Sequence, residues 1–419
     1  MSPARGGTPE EEGGGADVEK AAAETGGRGT WRHAAFHVAT TIATPAAYAP
    51  LPFALASLGW PLGWCFFTHP PGCCLTVAVE WRQAHQLQAS CKEHLGPWGY
   101  WYVSFFQQVA SIGNNIAIQI AAGSSLKAVY KHYHTTDDGA MTLQQFIILF
   151  GAFELLLSQL PDIHSLRWVN AACTASTIGF AGTAIGVTIY DGHRIDRKEV
   201  DYSLQGSAAS KIFRAFNALG TIAFSFGDAM LPEIQSSVRE PVRMNMYKGV
   251  STAYSIIVMS YWTLAFSGYW AFGSGVQPYI LSSLTFPRWT IVMANLFAVI
   301  QITGCFQAKD AGYRARMWRL VYTSAYMVVI TLISAAMPFF GDFVSVCGAV
   351  GFTPLDFVLP ALAFLKAGKL PENPGLRHAV KVITSAVAVL FSIVGALACI
   401  GAVRAIALDV KTYKFFHDM

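Results

Sequence analysis

Charge is the scarcest thing in this chain. Only 13% of its 419 residues are Asp, Glu, Lys or Arg, roughly half the share usual in soluble domains. The shortage runs along nearly the whole length, and 53% of residues are hydrophobic. That excludes a soluble core with one anchor and points to an all-α polytopic membrane protein, with the lipid bilayer as its partner. A concentrated basic face is also lacking. The net charge is +4, with Lys and Arg scattered between apolar runs, so no nucleic-acid partner is expected. Regular cysteine spacing is absent from the eight cysteines, which excludes a disulfide framework. Cys173, Cys305, Cys347 and Cys399 read as core packing. The sequence has no G-x-S-x-G, H-E-x-x-H or P-loop and no regular Cys/His metal spacing. It reads as neither an enzyme nor a holder of metal or cofactor.

What is present is a series of apolar runs. Ten charge-poor stretches are long enough for membrane helices, at about 34–58, 98–123, 144–160, 166–190, 213–236, 249–272, 287–306, 318–338, 341–365 and 380–403. In the fourth, Gly182 and Gly186 form a G-x-x-x-G pair expected to pack tightly against a neighbour. Residues 1–32, rich in Gly, Glu and Ala, read as a disordered cytoplasmic tail, 33–406 as the transmembrane domain, and 407–419 as a short tail.

A possible eleventh span, 60–79, is uncharged but broken by Pro70-Pro71-Gly72. Loop charges test it. With a crossing there and a cytoplasmic N-terminus, 18 Lys and Arg fall inside against 11 outside; without it the count is 15 against 14. The positive-inside bias therefore expects a helix that this segment is badly built to supply.

Two spans are interrupted. The first, "FHVATTIATPAAYAPLPFALASLGW", holds Pro45, Pro50 and Pro52, which are expected to free the carbonyls of Thr41, Ala46 and Tyr48. The fifth, "FRAFNALGTIAFSFGDAMLPEIQSSV", holds Gly220, Gly227, Asp228 and Pro232. "YAPLPFALAS" and "DAMLPEIQSS" resemble each other locally. Paired broken helices in two halves mark a transporter binding site; two ordinary proline kinks are the plainer reading. If a site is there, half-helix N-termini suit a carboxylate and freed carbonyls suit an ammonium, so the expected ligand is a small zwitterionic amino acid.

Carboxylates at membrane depth are functional candidates by default: Asp228, Glu233 and Glu154. Asp228, next to the break, and Glu154 are the proton-coupling candidates; capping and a structural hydrogen bond are the alternatives. Gln108, Ser111, Asn115 and Gln119 form a stripe on one helical face. It lines a pathway or glues helices together, and Asn115 is carried forward as a substrate-facing candidate. Trp98, Tyr100, Trp101 and Tyr102 read as an interfacial aromatic belt.

Four stretches, "FHVATTIATPAAYAPLPFALASLGWPLG", "LGPWGYWYVSFFQQVASIGNNIAIQIAAGSSLKAVYKHY", "GTIAFSFGDAMLPEIQSSVREP" and "YWAFGSGVQPYIL", closely resemble plant members of the amino acid/auxin permease family, nearest to its GABA transporter group. The resemblance covers residues 31–63 and about 96 onward. It implies a LeuT-like arrangement of two inverted five-helix repeats plus a last helix, and proton-coupled import across the plasma membrane. Carried over by position, Thr44, Ala46, Tyr48 and Ala49 with Ser225, Phe226, Gly227 and Asp228 surround the substrate. Relatives that carry lysine and histidine tend to have Gly-His at Gly227-Asp228, which leaves substrate and proton carrier open. A broader neutral amino acid or auxin-like permease is the alternative within the class. Segment 64–95 does not match the relatives, and the link after Gln307 is shorter than theirs. A shifted reading frame or alternative splicing would leave a defective second helix and a non-transporting isoform.

Overall fold

The computed structural model describes residues 29–68, 97–134, 141–157, 167–227, 234, 238–305, 313–367 and 373–412. Among these, every regular element is helical, and one isolated parallel bridge joins Gly29 to Val238. Helices suit an apolar sequence in a bilayer because each satisfies its own backbone groups.

In chain order the elements are α1 (Trp31–Ile42), α2 (Pro45–Tyr48), α3 (Leu51–Thr68), α4 (Pro97–Tyr133), α5 (Leu143–Leu157), α6 (Arg167–Arg194) and α7 (Ala208–Phe226). There follow α8 (Val242–Phe272), α9 (Arg288–Cys305), α10 (Tyr313–Ala336) and α11 (Phe340–Val346). A π-helical segment, Cys347–Val358, then runs into α12 (Leu359–Ala367), and α13 (Pro374–Thr412) ends the described chain. Each of the ten apolar stretches contains helix among its described residues. Among the described residues, Ala172–Arg194, Met244–Gly275, Phe340–Lys366 and Pro374–Lys411 are each long and apolar enough to cross a membrane. The pair Trp31–Ile42 and Pro45–Trp64 qualifies as one broken span, bent by 61°.

The buried core runs through α1, α2, α3, α7 and α8, with α8 packed along α1 and α3 and with α7 against α3, α13 and the π segment. Outward surfaces stay apolar: Ile178, Leu332, Val389 and Val403 are all exposed, as expected of faces turned to lipid. Trp98, Trp101 and Tyr102, from the predicted aromatic belt, are exposed as well.

Three expectations are corrected or lie out of view. Gly182 and Gly186 have no neighbour within reach of an added Cβ; α6 makes its close contacts at Gly179, against Phe297, and Gly192, against Trp270. A spacing motif shows only that a face is small, not that another helix covers it. The fifth predicted span is helical to Phe226, and Asp228, Pro232 and Glu233 lie outside the described residues. So do residues 69–95, including Pro70-Pro71 and Cys73-Cys74, while α3 carries Trp64 to Thr68 as its last turns. Cys173, Cys347 and Cys399 are free thiols.

Candidate functional site

The first break is built from local capping. Ala43 ends α1 with its N–H on the Ala39 carbonyl. Thr44 is extended, and its hydroxyl accepts from the N–H of Ala47 at 3.3 Å, which caps α2. Pro45 stands at the first helical position, where a missing N–H costs nothing. Helix restarts at Pro45 and again after Pro50, and carbonyls beside those expected to be freed take partners from other elements. Ile42 O accepts from the Tyr261 hydroxyl at 3.0 Å, Ala47 O from the Ser225 hydroxyl at 2.8 Å, and Ala49 O from the Ile280 N–H at 3.2 Å.

The second break begins at the C-terminus of α7. Gly227 leaves the helix in an extended conformation, its N–H on the Phe224 carbonyl. The Phe226 carbonyl accepts from Tyr254 at 3.4 Å. A side chain on Gly227 would collide with the ring of Phe352, so the π segment closes directly on this break.

These two interruptions touch. The Ser225–Ala47 bond joins residues 178 positions apart. Around it Tyr48 donates to or accepts from Ser260 at 2.8 Å and sets its ring edge-on to Tyr261, with centroids 4.6 Å apart. Phe226 lies 5.4 Å from the same Tyr261 ring. Thr44, Ala46, Tyr48, Ala49, Ser225 and Phe226 are all buried, Ala46, Ala49 and Ser225 fully so. The one-turn α2 and the C-terminal end of α7 meet in one buried, aromatic-walled place.

Asn115 is not drawn into this place by any bond. Its amide donates to Tyr326 at 2.8 Å, and Gln119 donates to Thr331 at 3.1 Å. Both tie α4 to α10, so the inner part of the polar stripe is helix-to-helix glue, whereas Gln108 and Ser111 stay exposed. Glu154, on α5, is fully buried, and neither carboxyl oxygen has a hydrogen-bond partner among the described residues. The Thr303 hydroxyl beside it is spent on the Val299 carbonyl at 2.9 Å. Sequence reasoning missed Tyr254, Tyr261 and Ser260, which brace both breaks. Their signal was there: Tyr254 and Tyr261 stand two turns apart on one face of an apolar helix. No group of three or more His, Cys, Asp and Glu side chains placed to hold a metal occurs among the described residues.

The family model of the transmembrane amino acid transporter protein matches residues 27–309 and 306–405. The chain belongs to that family. Its members are transporters, not enzymes. The chain is 32% identical to "GABA transporter 1" of Arabidopsis thaliana over 437 residues, covering 94% of each protein. It is 30% identical to "Lysine histidine transporter-like 6" of the same plant, covering 92% of this chain and 93% of the relative. Among solved structures, it is similar to MhsT in complex with L-phenylalanine, with a TM-score of 0.54 and 13% identity, covering 90% of this chain and 100% of that one. That likeness shows a shared fold of LeuT type and no more. Family membership and the apolar spans make this a membrane protein that carries amino acids.

Proposed function

We propose that this transporter imports GABA, or a closely related small amino acid, together with protons across the plasma membrane, with its N-terminus in the cytoplasm. The reading includes ten to eleven spans, arranged as two inverted five-helix repeats plus a last helix. The observation that carries it is the Ser225–Ala47 bond, because it puts two broken helices in contact at their polar ends.

In this reading the substrate carboxylate lies toward the N-terminal amides of α2, near Ala46. The ammonium lies toward the carbonyls closing α7, beside Ser225 and Phe226. Tyr48 and Tyr261 exclude water from the methylene chain between them. A substrate with both charges satisfies both ends at once, whereas one lacking either charge leaves a buried polar end unpaired. The 32% identity to a GABA transporter supports the substrate choice.

Two carboxyls are the candidate proton carriers. Asp228 directly follows the second break in sequence. Glu154 has no hydrogen bond to either carboxyl oxygen among the described residues, so it can gain a proton without breaking one there. A non-transporting isoform is the second reading. What favours it is the family match, which comes in two pieces meeting at 306–309, where the link after Gln307 is short, together with Pro70-Pro71 in the expected second helix.

Uptake of labelled GABA and proline by transport-deficient cells, at acidic and neutral pH, tests the proposal. Saturable GABA uptake that rises with acidity is expected. Surface-expressed protein with no saturable uptake of either amino acid would refute it.

A further inference from the structure

A second polar place lies along the first turns of α3, ahead of the bend at Gly59. Here α3, the first turns of α7, the loop at Leu204 and Gln205 and the turn at Ser274 line an open cleft. Lys211 and Arg214 line it together with Ser57, Gln205, Ser274 and Phe53. No carboxylate is among its lining residues. Neither cation has an ion-pair or hydrogen-bond partner among the described residues. Both stand one turn apart near the N-terminus of α7, whose Ser207 cap marks the positive end of the helix dipole. All three sources of positive potential therefore act on one concave surface.

The loop that leads into α7 is braced from within. Asp201 accepts from the N–H and the hydroxyl of Ser203, each at 2.8 Å. Those bonds hold its carboxyl below the usual value of 3.8. A depressed carboxylate contributes its stabilisation above the unfolded value and loses it only as the pH falls through the lower folded one.

The wall is also preformed. Ser274 donates through its hydroxyl to Ser203 O at 2.6 Å and through its N–H to Asp201 O at 2.8 Å. Gly206 and Gly273 take φ values of 98° and 56° to allow these turns, and Gly273 sits so close on the Asp201 carbonyl that no side chain fits.

The geometry points to this cleft as a binding site for small carboxylates, with Lys211 and Arg214 holding the carboxyl group and the hydroxyl of Ser57 and the amide of Gln205 available to the remainder. With a crossing at 60–79, loop-charge counting puts this end of α7 outside the cell, where the cleft stages the cargo carboxylate before it reaches the breaks. That staging role rests on the importer reading; the anion site does not. The same charges disfavour cationic amino acids, so the cleft acts as a filter against them.

The test uses the full-length protein in nanodiscs with labelled succinate as probe, and GABA uptake in cells alongside. Wild type is expected to bind succinate in a salt-sensitive way. The double variant Lys211→Gln/Arg214→Gln should weaken it about tenfold, and Lys211→Arg/Arg214→Lys should restore it. GABA uptake by the double Gln variant should show KM raised about threefold to tenfold with kcat kept. No succinate binding by wild type, or equal binding by wild type and the Gln variant, would overturn the anion site. Succinate binding that depends on both cations, with no amino acid imported by wild type, would sink the importer and the staging role while upholding the site.

Discussion

Ser225 and Ala47 are 178 residues apart in the chain and 2.8 Å apart in space. Removing that hydroxyl leaves a buried carbonyl unpaired, which costs ~1 kcal/mol. Ser225→Ala is therefore expected to lower the melting temperature in detergent slightly and to raise the KM for GABA about fivefold. An unchanged KM would show that the contact is structural only. At this scale the sequence revealed the backbone's constraints better than its partners. Thr44 and Pro45 could be read as a break because a cap and a proline act within one turn. Tyr261 on Ile42 O could not, since 219 positions separate them. Asn115 was legible as polar on an inward face, but nothing local distinguishes a residue that meets substrate from one that meets Tyr326.

At the scale of elements, the cost of a substitution depends on whether a helix starts or crosses at that point. Pro45 begins α2, so Pro45→Ala should change stability little, by under ~1 kcal/mol. Gly348 lies where the π segment meets the backbone of α7 at Gly220, with no space for a side chain. Gly348→Leu is expected to force the two apart and to abolish well-dispersed protein in size-exclusion chromatography. A monodisperse Gly348→Leu protein as stable as wild type would contradict the close crossing. All ten apolar runs were legible as helices because lipid-compatible composition is a strong local signal. The π segment was not, since its register is set by Phe352 closing on Gly227 and by Cys347 donating to Ala110 O at 3.4 Å. The small face at Gly182 and Gly186 misled for the same reason: a partner is a tertiary fact.

For the whole molecule, coupling and assembly are at stake. Asp228→Asn should abolish the acid stimulation of uptake, and Glu154→Gln, which keeps the shape of a protonated carboxyl, should leave folding intact. Acid dependence retained in both variants would dismiss both as proton carriers. Segment 64–95 bears on the same scale. If it spoils a scaffold helix, replacing it with a plain apolar helix should raise surface expression and GABA uptake together. Equal uptake before and after replacement would show that the native segment serves. Family membership could be read from the resemblance of four stretches, and the match over most of the chain upholds it. Substrate and coupling depend on a few side chains around the breaks, where composition carries no information.

The central claim is that substrate sits between the two breaks. Ala46→Cys and Phe226→Cys, placed singly in a chain with its other cysteines removed, can be titrated with a charged thiol reagent in the presence and absence of GABA. GABA is expected to slow modification at both positions by about tenfold and to leave an exposed loop control, Glu199→Cys, unaffected. Equal modification rates with and without GABA, in protein that still imports it, would contradict the account.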